Sequence, residues 1–389
     1  MSGSSPPAIV LQASGPNALG IIRSLARAGV RVLAADHDPR ALGLLSRYAE
    51  AVPMADPLTE PDRFLQDLLA LGRGRGAGGV LFPTHDEAIA TIGPHEADVD
   101  AVLRRPWSPW EVMQRIIDKG HQHATARRIG FPVPATIEPG EGDDVPSLVA
   151  DAGLRFPVVL KPRYAPEFRR RFRVQVMEAH DANGLRRAWE LAAPYRPQVS
   201  EVIPGGDDAL WSLGSYRAAD GRVLASFTGR KLRQWPPRFG TARSAEARWD
   251  PGLAERGHAL LDALGFHGIS QVEVKRDPRD GRDNLIEVNP RSWLWVGLAT
   301  RSGVNLPYAC WRDAVGHPTT WPDGHRDGWR WFLAGKHLAG SVREIRRGEW
   351  GAAAFAATMR PPIVEGVIDV RDPRPAMALY GRHLRRARG

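Results

Sequence analysis

The chain has 389 residues, 43% of them hydrophobic and 25% charged, which is the composition of a globular protein with room for two or three domains. Its one cysteine, Cys310, excludes an internal disulfide framework and any multi-cysteine metal site, and fits a reducing compartment. The formal charge of +9 selects no partner by itself, since nucleic acid, an anionic substrate and an arginine-rich composition all produce it.

Residues 7–115 alternate strands with helices. "AIVLQ" reads as a short apolar strand, and "NALGIIRSLARAG" places Leu19, Ile22 and Ala26 on one helical face before Gly29. "VRVLAAD" is a second strand ending at Asp36, and "VLFPT" a third, which predicts a parallel sheet covered on both sides. "SGPNALG" sits where a dinucleotide fingerprint would, but only Gly15 and Gly20 are present, and without the middle glycine a pyrophosphate is not expected there.

From residue 125 the pattern changes. "FPVVLKP" (156–162) is a β-prone strand carrying Lys161, and "EVIPGG" (201–206) ends another in a turn. "DPGLAERGHALLDALGF" is an amphipathic helix. "GISQVEVKRD" and "NLIEVNPR" follow as two strands joined by "DPRDGRD". The fold class predicted is therefore α/β followed by α+β. No apolar run reaches the ~20 residues of a membrane helix. "MSGSSPPAIVLQASG" has no signal-peptide pattern, so no membrane and a cytoplasmic location are expected.

Those two strands carry the polar residues. Gln271, Glu273 and Lys275 alternate, as do Glu287, Asn289 and Arg291, so each triplet shares one face. A hairpin would bring Glu273 beside Glu287. Two close carboxylates share a proton or hold a cation, and oxygen ligands such as these with Asn289 suit Mg²⁺. A solvated hairpin face is the alternative. Lys161, among β-branched neighbours, calls for an anionic partner, whereas Lys119 in "DKGHQHATA" opens a helix. His121 and His123 are two residues apart and diverge on a helix, so no zinc site is expected. Trp293 and Trp295 read either as pocket walls or as core.

The order "DK" (118–119), "VVLKP" (158–162), "SEVIPGG" (200–206), "QVEVK" (271–275) and "IEVNPR" (286–291) resembles that of the ATP-grasp enzymes, of the carboxylate–amine ligase kind. Within that superfamily the pattern is similar to ligases related to D-aspartate ligase and to carbamoyl-phosphate-synthase-like proteins. The resemblance covers roughly residues 80–300. It implies a pre-ATP-grasp domain (1–115), a small subdomain (116–205), a C-terminal ATP-grasp subdomain (206–318) and an extension (319–389).

It also implies ATP between the two subdomains. Lys119 and Lys161 would contact the phosphates, the backbone of Glu201, Val202 and Ile203 the adenine edge, and Asp207 or Asp208 the ribose. Glu273, Glu287 and Asn289 would hold Mg²⁺ or Mn²⁺, and Arg291 would face the transferred phosphoryl group or the substrate carboxylate. Lys231 reads either as a catalytic contact to phosphate or acceptor, or as a surface lysine.

The expected activity joins a small-molecule carboxylate, amino-acid-like, to an amine. Other acceptors (a thiol or a carrier protein), a non-catalytic nucleotide binder and a nucleic-acid binder are the alternatives. Nucleic acid is not expected, because aromatic–basic interleaving is missing. A homodimer is compatible with this reading. One departure concerns the stretch after Lys161, where relatives carry a glycine-rich loop. Here "KPRYAPEFRRRFRVQV" has no glycine between 161 and 173, and it reads either as a solvated basic loop or as one whose arginines, such as Arg169–Arg171, meet phosphate and which moves or orders when nucleotide binds.

Overall fold

In a computed structural model the described residues are 5–162 and 165–386. Among them, three sheets organise the chain. The first is parallel: β1 (Ala8–Leu11), β2 (Val32–Asp36), β3 (Glu50–Pro53) and β4 (Val80–Pro83), in the order β3-β2-β1-β4. Alternation along β1 sends Ala8 and Val10 to one core and Ile9 and Leu11 to another, so both faces are covered.

The second sheet is small and antiparallel: β5 (Thr136–Ile137), β6 (Val158–Lys161), β7 (Met177–Ala179) and β8 (Gln198–Glu201), in the order β5-β8-β6-β7. It has its own core, in which Val158, Leu160 and Val199 meet Phe168, Leu185 and Val145. The stretch expected as a basic loop is different in the structure. Residues Ala165–Phe172 form a helix, while 163 and 164 lie outside the described residues. The cause is apolar: Phe168 and Phe172, one turn apart, pack with ring centroids 4.8 Å apart, and Phe168 meets Tyr195 edge-on at 5.4 Å.

The third sheet comprises β9 (Leu210–Arg217), β10 (Val223–Trp235), β11 (Thr241–Ala247), β12 (Gly268–Arg276), β13 (Asp283–Asn289), β14 (Arg330–Phe332) and β15 (Ile363–Glu365). Its order is β13-β12-β9-β10-β11-β14-β15. Residues 319–389, expected as an extension, thus contribute two strands to the large sheet, with Ser244 opposite Phe332 and Arg330 beside Ile363.

The parallel and large sheets share a core. Leu19 and Ile22 of the Pro16–Ala26 helix belong with Phe227, Trp293, Trp295 and Trp331. Gly20 has a packing reason. A Cβ there would lie 2.9 Å from Val296 Cγ1 and 3.0 Å from the Gly297 nitrogen, so glycine lets this helix close on the Val296–Arg301 helix. Among the described residues no helix is long and apolar enough to cross a membrane.

Candidate active site

A cleft of about 410 Å³ opens between the small and large sheets. On its large-sheet side β12 and β13 pair antiparallel with Glu273 opposite Glu287 and Gln271 opposite Asn289. The expected hairpin thus forms with the two carboxylates as direct cross-strand neighbours. Like charges so placed repel, and each is met by a lysine. Lys231 Nζ of β10 donates to Glu273 at 2.8 Å, and Lys119 Nζ donates to Glu287 at 2.8 Å. Asp118 starts the Lys119–Arg128 helix by accepting from the Gly120 N–H at 2.8 Å, which fixes Lys119 at the cleft edge.

The electrostatics follow from these pairs. The Lys119 charge, with burial opposing it and its hydrogen bond adding, holds Glu287 well below the usual carboxylate range. Glu287 in turn raises Lys119. Asn289 Nδ2 donates to Glu287 at 3.1 Å, and its oxygen accepts from Arg291 Nη2 at 3.2 Å. Arg291 is gripped from the other side by Asp86, at 2.7 Å through Nε and 3.3 Å through Nη2. Burial works against the Arg291 charge, but Asp86 leaves its pKa raised. Asp86 begins the Asp86–Ile92 helix behind the parallel sheet, so the N-terminal region reaches into the site.

Lys161 enters from the small sheet. Burial pushes it down to about 8, the charge of Lys119 adds to the effect, and Glu287 opposes it. No acid pairs with it among the described residues, which leaves its ammonium the cation of the cleft most in need of an anion. His123 is pushed down to about 4, first by burial and then by Lys161, and its Nε2 lies 3.4 Å from the Ile286 carbonyl. It is a neutral packing histidine.

Glu201, Val202 and Ile203 line the small-sheet side. The Glu201 and Val202 N–H groups donate to the Ala135 and Pro157 carbonyls, at 2.9 and 3.1 Å, which anchors this edge. The Glu201 carboxylate turns to Arg279 at 2.9 Å. Asp207 accepts from the Gln234 N–H at 2.8 Å and so braces β10, Asp208 is exposed, and neither is in the cleft lining. Trp293 and Trp295 serve both purposes named for them, lining the cleft and packing in the shared core.

The structure therefore brings Lys119, Lys161, Glu201, Val202, Ile203, Lys231, Glu273, Glu287, Asn289 and Arg291 to one cleft. Sequence reasoning missed Asp86, Gln234 and the Phe239–Gly240–Thr241 turn in the same lining. Asp86 opens its helix, where an acid is favoured, but nothing local points to its partner 205 residues away. Among the described residues no cluster of three or more His, Cys, Asp or Glu could hold a metal. Two carboxylates and an amide oxygen are what this site offers. That set fits Mg²⁺ with its remaining ligands drawn from phosphates and water, and excludes a closed zinc cage.

No protein-family profile matches the chain. D-aspartate ligase of Enterococcus faecium is 24% identical over 267 residues, which is 65% of this chain and 63% of the ligase, so the chain spans less than two thirds of that relative. The crystal structure of N5-carboxyaminoimidazole synthetase from Staphylococcus aureus complexed with ADP aligns with a TM-score of 0.65 at 13% identity, over 90% of this chain and 88% of that one. L-amino acid ligase from Bacillus licheniformis aligns with a TM-score of 0.58 at 16% identity, over 82% and 76%. The sheet order, the cleft and these alignments together show that this chain shares its fold with these two structures, the mixed α/β fold expected from its motif order.

Proposed function

We propose that this protein is an ATP-dependent ligase that activates a carboxylate as an acyl phosphate and joins it to an amine. The observation that carries the reading is the cross-strand pair Glu273–Glu287, with Asn289 beside it and Lys119, Lys161, Lys231 and Arg291 around it in one cleft. A solvated hairpin needs no such ring of cations. An in-line phosphoryl transfer does, because negative charge gathers on the phosphoryl oxygens as they move.

In the proposed reaction a substrate carboxylate oxygen attacks the γ-phosphorus of ATP, the bond to the β-phosphate oxygen breaks, and ADP leaves. The amine nitrogen then attacks the acyl carbon. The C–O bond to phosphate breaks, the nitrogen loses its proton, and an amide and inorganic phosphate remain. Lys119 and Lys161 bind the phosphates, and the 201–203 backbone meets the adenine edge. Lys231 and Arg291 neutralise the transferred group and the tetrahedral intermediate. Arg291 is pre-oriented for this by Asp86 and Asn289. Glu273, Glu287 and Asn289 would hold Mg²⁺ or Mn²⁺, whose charge offsets that of the phosphate oxygens.

The substrate class proposed is amino-acid-like, because D-aspartate ligase and L-amino acid ligase are among the proteins this chain is similar to. ADP and phosphate release over pairs of amino acids tests the reading. Release is expected to depend on both partners and to vanish in Glu287→Gln. Release undiminished in that variant would move the chemistry to another site.

A further inference from the structure

A second cavity, of about 350 Å³, is bordered by Gly297, Thr300 and Arg301 of the Val296–Arg301 helix. It is walled by the Pro16–Ala26 helix, by the Val296–Arg301 helix and by the chain between Val364 and Asp369. Four arginines line it, Arg23, Arg27, Arg301 and Arg326, against two carboxylates, Glu365 and Asp369.

The carboxylates are already engaged. Glu365 accepts from the Ala334, Val367 and Ile368 N–H groups and from the Tyr380 hydroxyl. Asp369 pairs with Arg27. Arg23, at the floor, is satisfied by Asp372 at 3.0 Å and by the Val367 carbonyl at 2.8 Å.

Arg301 and Arg326 remain at the rim. Among the described residues neither has an acidic partner, and Arg326 Nη2 reaches only the Arg301 carbonyl, at 3.0 Å. Burial, and then the like charges of Arg27, Arg23 and Arg371, disfavour the Arg301 cation, with Asp369 alone opposing them. A merely solvated basic patch borders no cavity. Here two arginines without acidic partners border one, with Trp329 in its lining.

We propose that this cavity is a binding site for a phosphate-bearing small molecule, held by the Arg301 and Arg326 forks with its organic part against Trp329. Paired guanidinium donors match phosphate oxygens in geometry as well as charge, and an indole face accepts a flat or apolar group. The site is separate from the cleft and does not depend on the ligase reading. The two are nevertheless close in sequence, because Trp295 lines the cleft and Gly297 lines the cavity.

Calorimetry on the whole protein at fixed low salt tests it, with inorganic phosphate, pyrophosphate and phenyl phosphate as probes. Lys161→Ala weakens the nucleotide cleft, and the Arg301→Gln/Arg326→Gln variant removes both rim cations of the cavity. Binding is expected in wild type and in Lys161→Ala, with phenyl phosphate tighter than phosphate. It is expected to weaken about tenfold or more in the double arginine variant, the scale of losing charge-assisted hydrogen bonds. Should that variant unfold, Arg326→Gln alone carries the same criterion. Binding retained in the arginine variant, binding lost in Lys161→Ala, or no binding of any probe to wild type each overturns the proposal.

Discussion

The two walls of the cleft are built differently. The large sheet is fused to the parallel sheet through shared cores, Leu19 and Ile22 with Phe227 and Trp295 in one and Ile9 and Leu11 with Val272 and Leu285 in another. The small sheet closes a core of its own around Phe168, Val158 and Val199. What crosses between the walls includes the exposed ion pairs Arg238–Glu178 and Arg279–Glu201, at 2.6 and 2.9 Å. Such pairs are worth at most about 1 kcal/mol each, far less than a shared core. The site divides along the same line. Lys161 and residues 201–203 ride on the autonomous body, whereas Lys119, Lys231, Glu273, Glu287 and Arg291 are rooted in the fused one. Under the proposed reaction, positioning of the reacting groups and capture of the nucleotide would fall to parts of unequal independence.

The sharpest way to break that contrast is Phe168→Ala. Removing a fully buried ring should cost about 3–5 kcal/mol. If the small body is autonomous, amide protection falls across 136–201 while β1 and β2 keep theirs. Equal loss in both, read by hydrogen exchange, would mean one cooperative unit instead. Next in size is Glu287→Gln, which keeps the shape of the site and removes one charge. Turnover should fall by about 100-fold or more with melting little changed, because the cation proposed to offset the developing charge loses a ligand. Turnover near wild type would return β12 and β13 to an ordinary hairpin.

That hairpin was the most legible part of the chain. Period-two spacing put Glu273 and Glu287 on one face, and a turn-rich link made them neighbours, as the register has them up to the shift that follows this pair. The Ala165–Phe172 helix was not legible as a helix, because its arginines drew the eye to charge while its apolar signal is just two phenylalanines. β14 and β15 are three residues each, too short for any periodicity to declare them. The grip of Asp86 on Arg291 joins residues far apart in sequence, and no local pattern encodes such a contact.

Lys161 offers a smaller effect that sharpens the comparison from the autonomous side. Lys161→Met should weaken binding of an ATP analogue about tenfold at pH 7, the scale of one charge-assisted contact. The pH dependence has a definite sign. Folding lowers this lysine from its ordinary 10.5 to about 8, so the folded state disfavours its charge. That penalty is full below pH 8 and gone by pH 10.5, so wild-type stability gains from this group as pH rises through that window. Lys161→Met should lack that rise. Parallel pH profiles of melting for the two proteins would refute the assignment.

The smallest effect belongs to the bridging ion pair. Arg279→Ala should change global stability by no more than about 0.5 kcal/mol, as other exposed pairs do. A loss several times larger in chemical denaturation would show that the two walls lean on each other after all.

The lysines that sit on Glu273 and Glu287 carry one more consequence. If Glu273 and Glu287 hold the ion as proposed, each has to trade its lysine contact for it, so an ion arriving alone meets a competitor at both positions. Nucleotide phosphates give Lys119 and Lys231 another anion to hold, which frees the carboxylates. Ion and nucleotide should then tighten each other's binding by one common factor, regardless of which arrives first. Titrating Mn²⁺ with and without ADP, and ADP with and without Mn²⁺, measures both arms of that cycle. Two independent affinities would mean that the lysines never leave their glutamates.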